Sequence, residues 1–405
     1  MVHHKVLCWD CGAVVEDPFV STCPKCNGLL TVKMDLEKVK EKKPEDLRKE
    51  QLGVWRYSDF LPVDPAHKVS LQEGGTPLYK TDALAEITGV KNMFVKFEGL
   101  NPTGSFKDRG MTVGVTRAKE LGVKVVGCAS TGNTSASLAA YAAKANIKCA
   151  VFLPTGKVAA GKLAQALFYG AKVLSIDGNF DDALALARKM AEEKKLYLLN
   201  SINPYRPEGQ KSVLFEIMDQ LDYKIPDRIV LPVGNAANIW AVYKALTELE
   251  EVGWIDKMPM LTGIQAEGSS PVSKAFSNSK KDFVPVENPE TLATAIRIGN
   301  PVSGRKALAA MYDTGGYSTT VTDEEIIQAQ KLTARKEGIF VEPASAASVA
   351  GIIKLRALGI IDKDETVIAI CTGNGLKDPE NAVKYSEPPR NCANSVKEVE
   401  DILSE

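Results

Sequence analysis

Four cysteines fall in the first 26 residues of this 405-residue chain, as Cys8-x2-Cys11 and Cys23-x2-Cys26 with eleven residues between the pairs. Each Cys-x2-Cys turn presents two thiolates to one point, and two such turns complete a tetrahedral zinc site. Four thiolates leave no open coordination position, so the zinc expected at Cys8, Cys11, Cys23 and Cys26 is structural. The other cysteines (Cys128, Cys149, Cys371, Cys392) are scattered, as buried small residues or free thiols are. A second feature is Lys107, set in Asn101-Pro-Thr-Gly-Ser-Phe-Lys-Asp-Arg-Gly110 on a turn that enters a helix. Third come three small, polar turns: Ser130-Thr-Gly-Asn-Thr-Ser135, Gly234-Asn-Ala-Ala-Asn238 and Thr372-Gly-Asn-Gly375. Only three histidines occur, His3, His4 and His67, none near these motifs, which disfavours imidazole chemistry.

The elements that must position these groups are read from hydrophobic runs. Strands are expected at Val125–Ala129, Lys148–Leu153, Lys172–Ile176, Leu196–Leu199, Arg228–Val233, Leu261–Gln265 and Val367–Cys371. Most are apolar throughout rather than alternating, which suits parallel strands covered on both faces. Helices are expected at Ser135–Lys144, Asp181–Lys194 and Thr322–Arg335, the last opened by a Thr322/Glu325 capping box. The fold class is therefore α/β with open parallel sheets. Each of the three polar turns follows a strand, where such sheets gather their ligands. The Gly234–Asn238 turn precedes a helical run from Ile239, and helix-start N–H groups with few side chains in the way can cradle a phosphate. It is neither a P-loop nor GxGxxG, so a single phosphate on a small cofactor fits better than a nucleoside triphosphate or a dinucleotide.

Composition narrows the class further. Hydrophobic residues make up 44%, and 50 basic against 51 acidic residues leave a net charge of −1. That balance gives no electrostatic footprint for nucleic acid or an anionic membrane. No apolar run approaches the ~18 residues of a membrane span, and the N-terminus has no apolar signal core, so a cytoplasmic protein is expected. At roughly 100–200 residues per domain, two or three domains fit the length. Residues 35–50 read as a solvated, charged helical linker broken near Pro44.

The stretches NPTGSFKDRG, STGNTSASLAAYAA, PVGNAAN, EPASAAS and CTGNGLKDP resemble those of the fold-type-II pyridoxal-phosphate enzymes. EGGTPL, NSINPYRPEGQK and TAIRIGNP extend the likeness over residues 50–390, with the threonine synthase family most similar. The cysteine ribbon is similar to the N-terminal extension of that family's archaeal members. The resemblance implies a large cofactor-binding domain from residues 34–109 and 205–405, a smaller one at 110–204, and a ribbon at 1–33. It implies that Lys107 holds pyridoxal 5′-phosphate as a Schiff base, a role needing a lowered amine pKa. Asn133 would face the phenolic oxygen, Gly234, Asn235, Ala236, Ala237 and Asn238 the phosphate, and Thr372 the pyridine nitrogen. Ser130, Thr131 and Thr134 would take a substrate carboxylate. Asn200, Ser201, Arg206 and Asn235 would take the phosphate of O-phospho-L-homoserine, guanidinium being well shaped for that group.

The implied reaction is that of a lyase in threonine biosynthesis: phosphate leaves from Cγ, water adds at Cβ, and Lys107 handles the protons. A homodimer is implied too, with closure of the smaller domain over substrate. Sister reactions on the same scaffold are cysteate synthesis from O-phosphoserine and sulfite, and serine/threonine dehydration; a different class is an inactive binding protein that uses the ribbon. Two departures stand out, Ala237 and Trp240, where the family carries glycine and a small residue. A Cβ disfavours positive φ, so the backbone is expected to differ at Ala237. Ordinary ion pairing at the surface remains the alternative role for Arg206.

Overall fold

The computed structural model describes residues 4–155 and 160–404; His3 lies outside them. Among the described residues the strands are β1 (His4–Cys8), β2 (Leu30–Met34), β3 (Leu78–Lys80), β4 (Asn92–Phe97), β5 (Val125–Ala129) and β6 (Lys148–Pro154). Then follow β7 (Lys172–Ile176), β8 (Tyr197–Leu198), β9 (Arg228–Pro232), β10 (Met260–Ala266), β11 (Tyr317–Val321) and β12 (Thr366–Cys371). The larger sheet has the order β11-β10-β9-β12-β4-β3, parallel except for the antiparallel edge strand β3. The smaller sheet, β7-β6-β5-β8, is parallel throughout.

Strand alternation splits the larger sheet's side chains between two cores. Ile368 and Ile370 of β12 join Ile239, Leu246 and Leu308 from the helices Ala237–Glu251 and Gly304–Asp313. Val367, Ala369 and Cys371 join Ile326, Ala346 and Val349 from the helices Asp323–Glu337 and Pro343–Ala357. Burial on both faces is why β9 and β12 read as continuous apolar runs. The smaller sheet is covered likewise, by Leu138 and Tyr141 of the helix Asn133–Ala145 and by Ala183 and Ala187 of the helix Phe180–Glu192. Thr322 caps the helix Asp323–Glu337 through the expected box with Glu325.

Several expectations need correction. The strand read at Leu196–Leu199 shrinks to two residues, because β8 is an edge strand paired only through Tyr197 and Leu198 before the chain turns. Residues 35–50 do break at Pro44, into the short helices Glu37–Lys40 and Pro44–Leu47. They are not simply solvated: Leu36, Val39 and Leu47 are buried in the main core. The helix after the Gly234–Asn238 turn starts at Ala237, not Ile239.

The ribbon is no loose appendage either. Its own core is only Cys8, Val15, Cys23 and Leu30, too small to bury its remaining apolar side chains. Those side chains use the body instead. Phe19 stands edge-on to Tyr197 at 6.0 Å and Trp9 edge-on to Trp240 at 5.9 Å. Lys194 pairs with Asp17 at 3.2 Å and Arg305 with Asp10 at 2.6 Å.

Candidate functional site

The turns after β5, β9 and β12 converge on one cavity of about 2080 Å³ between the two sheets. A typical small-molecule pocket is about 300–1,000 Å³, so there is room for a cofactor and a substrate together. Lys107, Ser130, Thr131, Asn133, Thr134, Asn200, Ser201, Arg206, the run Gly234–Asn238 and Thr372 all line it. The four cysteines gather elsewhere.

Lys107 opens the helix Lys107–Glu120. The turn before it is stitched to the β12 turn, with the Phe106 N–H donating to the Thr372 carbonyl at 2.9 Å. The buried Asp108 carboxylate accepts from the Thr103 N–H (2.7 Å) and from the Thr103 and Ser137 hydroxyls (2.6 and 2.5 Å). Behind it, fully buried Arg109 pairs with Glu98 (2.5 Å) and Glu216 (2.6 Å), and Lys96 with Glu216 (2.9 Å). This network anchors the helix start, so Lys107 projects from a fixed base. Burial, then the Arg206 guanidinium, holds the Lys107 ammonium down to about 7, with Glu342 pulling the other way. Half of the amine is then neutral near neutral pH, as a nucleophile or base requires.

At the Gly234–Asn238 turn the strain lies one residue earlier than expected. The left-handed residue is Ala236 (φ 68°), whereas Ala237 already lies in the helix. The turn reverses at Ala236, and the first-turn residues Ala237 and Asn238, whose N–H groups are unpaired in any helix, line the cavity. At Gly234 a Cβ would stand 3.0 Å from the Ala295 carbonyl, so glycine is needed for close approach there. The buried Asn238 Nδ2 has no partner among the described residues, which leaves a donor free for an anion. The donor set suits one phosphate ester, and the low Lys107 pKa suits an aldehyde; together they fit pyridoxal phosphate.

Arg206 is 2% exposed, which excludes a surface ion pair. Its Nη1 reaches only the Leu199 carbonyl, at 3.4 Å, and its Nε has no partner among the described residues. An unpaired buried guanidinium in a cavity wall is an anion site waiting for its anion. Asn200 supports the neighbouring turn: its amide donates to the Ala129 carbonyl (3.0 Å) and accepts from the Ala129 N–H (2.9 Å). The Asn235 side-chain oxygen accepts from the Val302 N–H at 3.4 Å.

Sequence reasoning missed Glu342. It precedes Pro343 at the start of its helix without capping it, and its carboxylate turns into the cavity instead. It accepts from Asn133 Nδ2 at 3.1 Å and from the Thr372 hydroxyl at 3.4 Å, and Thr372 also meets Ser345 Oγ at 3.0 Å. A Cβ on Gly373 would stand 2.5 Å from the Glu342 carboxylate, so the glycine makes space for it. Burial pushes the Glu342 carboxyl up, opposed by Asn133, Lys377, Lys107 and Thr372. The available signal was a lone charge in an otherwise uncharged stretch, Glu342 to Ile353, since buried carboxylates are rarely idle.

In the ribbon the four cysteine sulfurs lie within 4.8 Å of one another, with Cys8–Cys26 at 3.4 Å and Cys11–Cys23 at 3.7 Å. A tetrahedral zinc with ~2.3 Å bonds needs sulfurs about 3.8 Å apart. The Cys11 and Lys25 N–H groups donate to the Cys8 and Cys23 sulfurs at 3.5 and 3.4 Å, as thiolates at a metal require.

Comparison with known proteins agrees with this geometry. Residues 69–373 match the family described as "Pyridoxal-phosphate dependent enzyme". The threonine synthase of Methanocaldococcus jannaschii is 59% identical over 401 residues, 98% of this chain and 99% of that one. The threonine synthase of Methanosarcina acetivorans is 60% identical over 397 residues, 96% and 95% of the two chains. In fold, the chain resembles the processed form of threonine deaminase isoform 2 from Solanum lycopersicum (TM-score 0.66, 21% identity, 80% of this chain and 86% of that one). Maize serine racemase is similar to the same degree (TM-score 0.65, 21% identity, 74% and 88%). The chain belongs to the pyridoxal-phosphate dependent enzyme family and, within it, to the threonine synthases.

Proposed function

We propose that this chain converts O-phospho-L-homoserine and water to L-threonine and inorganic phosphate, using pyridoxal 5′-phosphate held at Lys107. The observation that carries the reading is the pairing, in one cavity, of a phosphate cradle beside a low-pKa lysine with a second anion site at Arg206. A dehydratase needs no such second site.

Bound there, the cofactor supplies an electron sink for negative charge at the substrate α-carbon. The chain's own residues do the rest. The Ala237 and Asn238 N–H groups and Asn238 Nδ2 would hold the cofactor phosphate, Asn133 would serve its phenolic oxygen, and Thr372 its ring nitrogen. Ser130, Thr131 and Thr134 orient the substrate carboxylate, while Arg206, with Ser201, Asn200 and Asn235, fixes the phosphate that leaves from Cγ. Lys107, about half neutral near pH 7, takes the proton at Cα and later moves one at Cβ. Residues 110–204 act as the smaller domain and close over the substrate, Cys8, Cys11, Cys23 and Cys26 hold structural zinc, and the working form is a cytoplasmic homodimer. Among the described residues no helix is long and apolar enough to cross a membrane.

The test is threonine and phosphate release from O-phospho-L-homoserine, with Lys107→Ala alongside. Equal amounts of both products, abolished in the variant, are expected. Cofactor-loaded protein that ignores phosphohomoserine yet consumes O-phosphoserine with sulfite would overturn the reading.

A further inference from the structure

The ribbon lies against the back of the cradle, and the contact runs through a tryptophan pair. Trp9 is next to the metal ligand Cys8, and its ring meets Trp240 at 5.9 Å and 75°. Trp240 sits on the first turn of the cradle helix, its N–H directed at the Ala236 carbonyl (3.4 Å). The Lys306 ammonium stands over both rings, 5.7 Å from Trp9 and 5.0 Å from Trp240, and donates to the Leu30 carbonyl of β2 at 3.1 Å. Val302 lines both the main cavity and a small cleft beside Trp9 and Cys26. The Val302 and Ser303 N–H groups bond the side-chain and backbone oxygens of Asn235 at 3.4 and 3.1 Å. From the cysteine cluster to the cradle backbone the contacts are therefore continuous.

We propose that the ribbon, once it holds its metal, is a positioning element for the phosphate cradle, with Trp9 and Trp240 carrying its order to Asn235–Asn238. The proposal rests on the cradle's assignment to the cofactor phosphate. It also gives Trp240 a role: the ring is the body's half of the contact with Trp9. Small four-cysteine modules fold only around their metal, and two of this ribbon's four core residues are ligands. Without metal, the turn that carries Trp9 loses the bonds that fix its shape and keeps only surface contacts such as Arg305–Asp10, so the cradle helix loses firm backing at the end where its N–H groups must stay aimed. Metal and cofactor then bind with positive coupling, and by linkage each raises the other's affinity by the same factor.

The experiment uses the full chain. Zinc is removed with a thiol reagent and chelator, then restored. The pyridoxal-phosphate dissociation constant is measured by absorbance in both states, and the zinc dissociation constant with and without cofactor by chelator competition. Both ratios should agree, at about five- to a hundred-fold. Trp9→Ala keeps all four ligands; the zinc-loaded variant should bind cofactor about tenfold more weakly, with the coupling ratio near one. Trp9→Phe should restore most of the coupling. At saturating cofactor kcat should be unchanged, because neither tryptophan is needed to touch substrate; general unfolding would lower it. Equal cofactor affinity with and without zinc, or in zinc-loaded Trp9→Ala and the parent, would overturn the proposal. Failure of the parent to bind cofactor at all would instead remove the assignment of the cradle.

Discussion

Replacing Arg206 by methionine should stabilise the cofactor-free protein and cripple turnover at once. The guanidinium is buried with a single long hydrogen bond, and burial drags its pKa well below the usual guanidinium range, to about 10. At about 1.36 kcal/mol per pH unit, that gap corresponds to about 3 kcal/mol. The sign follows from linkage: a folded-state pKa below the unfolded one means the charge opposes folding. The penalty is fully present below pH 10 and fades as pH rises above it. Methionine fills similar space without charge, so the variant should gain about 1–3 kcal/mol in urea unfolding at pH 7.5 in phosphate-free buffer. Added inorganic phosphate should stabilise the parent more than the variant, which keeps only the cradle to bind it. Removing a buried charge from its partner costs about 2–5 kcal/mol, so kcat/KM should fall by roughly two to three orders of magnitude. A variant less stable than the parent, or a parent indifferent to phosphate, would refute the reasoning.

Three further outcomes are expected. Cofactor capture by the apoprotein should rise about tenfold per pH unit up to pH 7 and level off above, since only the neutral Lys107 amine reacts; a midpoint near 10 would show an unperturbed lysine. Because the Glu342 pKa is raised by burial, its charge opposes folding above the unfolded value, so Glu342→Gln should be more stable than the parent by a margin that grows as pH rises above the usual carboxylate range and then levels off. Chemical denaturation across that rise checks it, and a shrinking margin would contradict the assignment. Ala236 adopts φ 68°, where a branched side chain is a genuine outlier; Ala236→Val should lose about 2 kcal/mol or more and bind cofactor more weakly by absorbance titration, and an unchanged midpoint would deny the strain.

The chemistry was legible wherever it sits on strand ends. Ser130, Gly234 and Thr372 each follow an apolar run that a parallel sheet must bury, so each turn had to lie at the carboxyl end of its own sheet's strands. Lys107 was legible through its small neighbours. What was not legible depends on contacts distant in sequence. Arg206 lacks a carboxylate only because the fold brings none to it. Glu342 turns from its own helix toward Asn133, more than two hundred residues earlier in the chain. The left-handed position fell on Ala236 instead of Ala237, because a dipeptide of two alanines does not say which one reverses the chain. β11, Tyr317–Val321, is a half-polar edge strand with no apolar run to announce it.

The order of strands in the larger sheet has a consequence for how the chain is made. β12 lies between β9 and β4 yet is the last strand to leave the ribosome. The smaller sheet, β5 to β8, is contiguous in sequence and can assemble while synthesis continues. The larger one must wait with a slot at its centre, flanked by the apolar edges of β4 and β9. Open edges of that kind recruit other chains, and such long-range pairing is slow. A nascent chain stalled before Thr366 would therefore carry a finished smaller half and a larger half exposed to aggregation, and arrival of six residues, Thr366–Cys371, closes the gap.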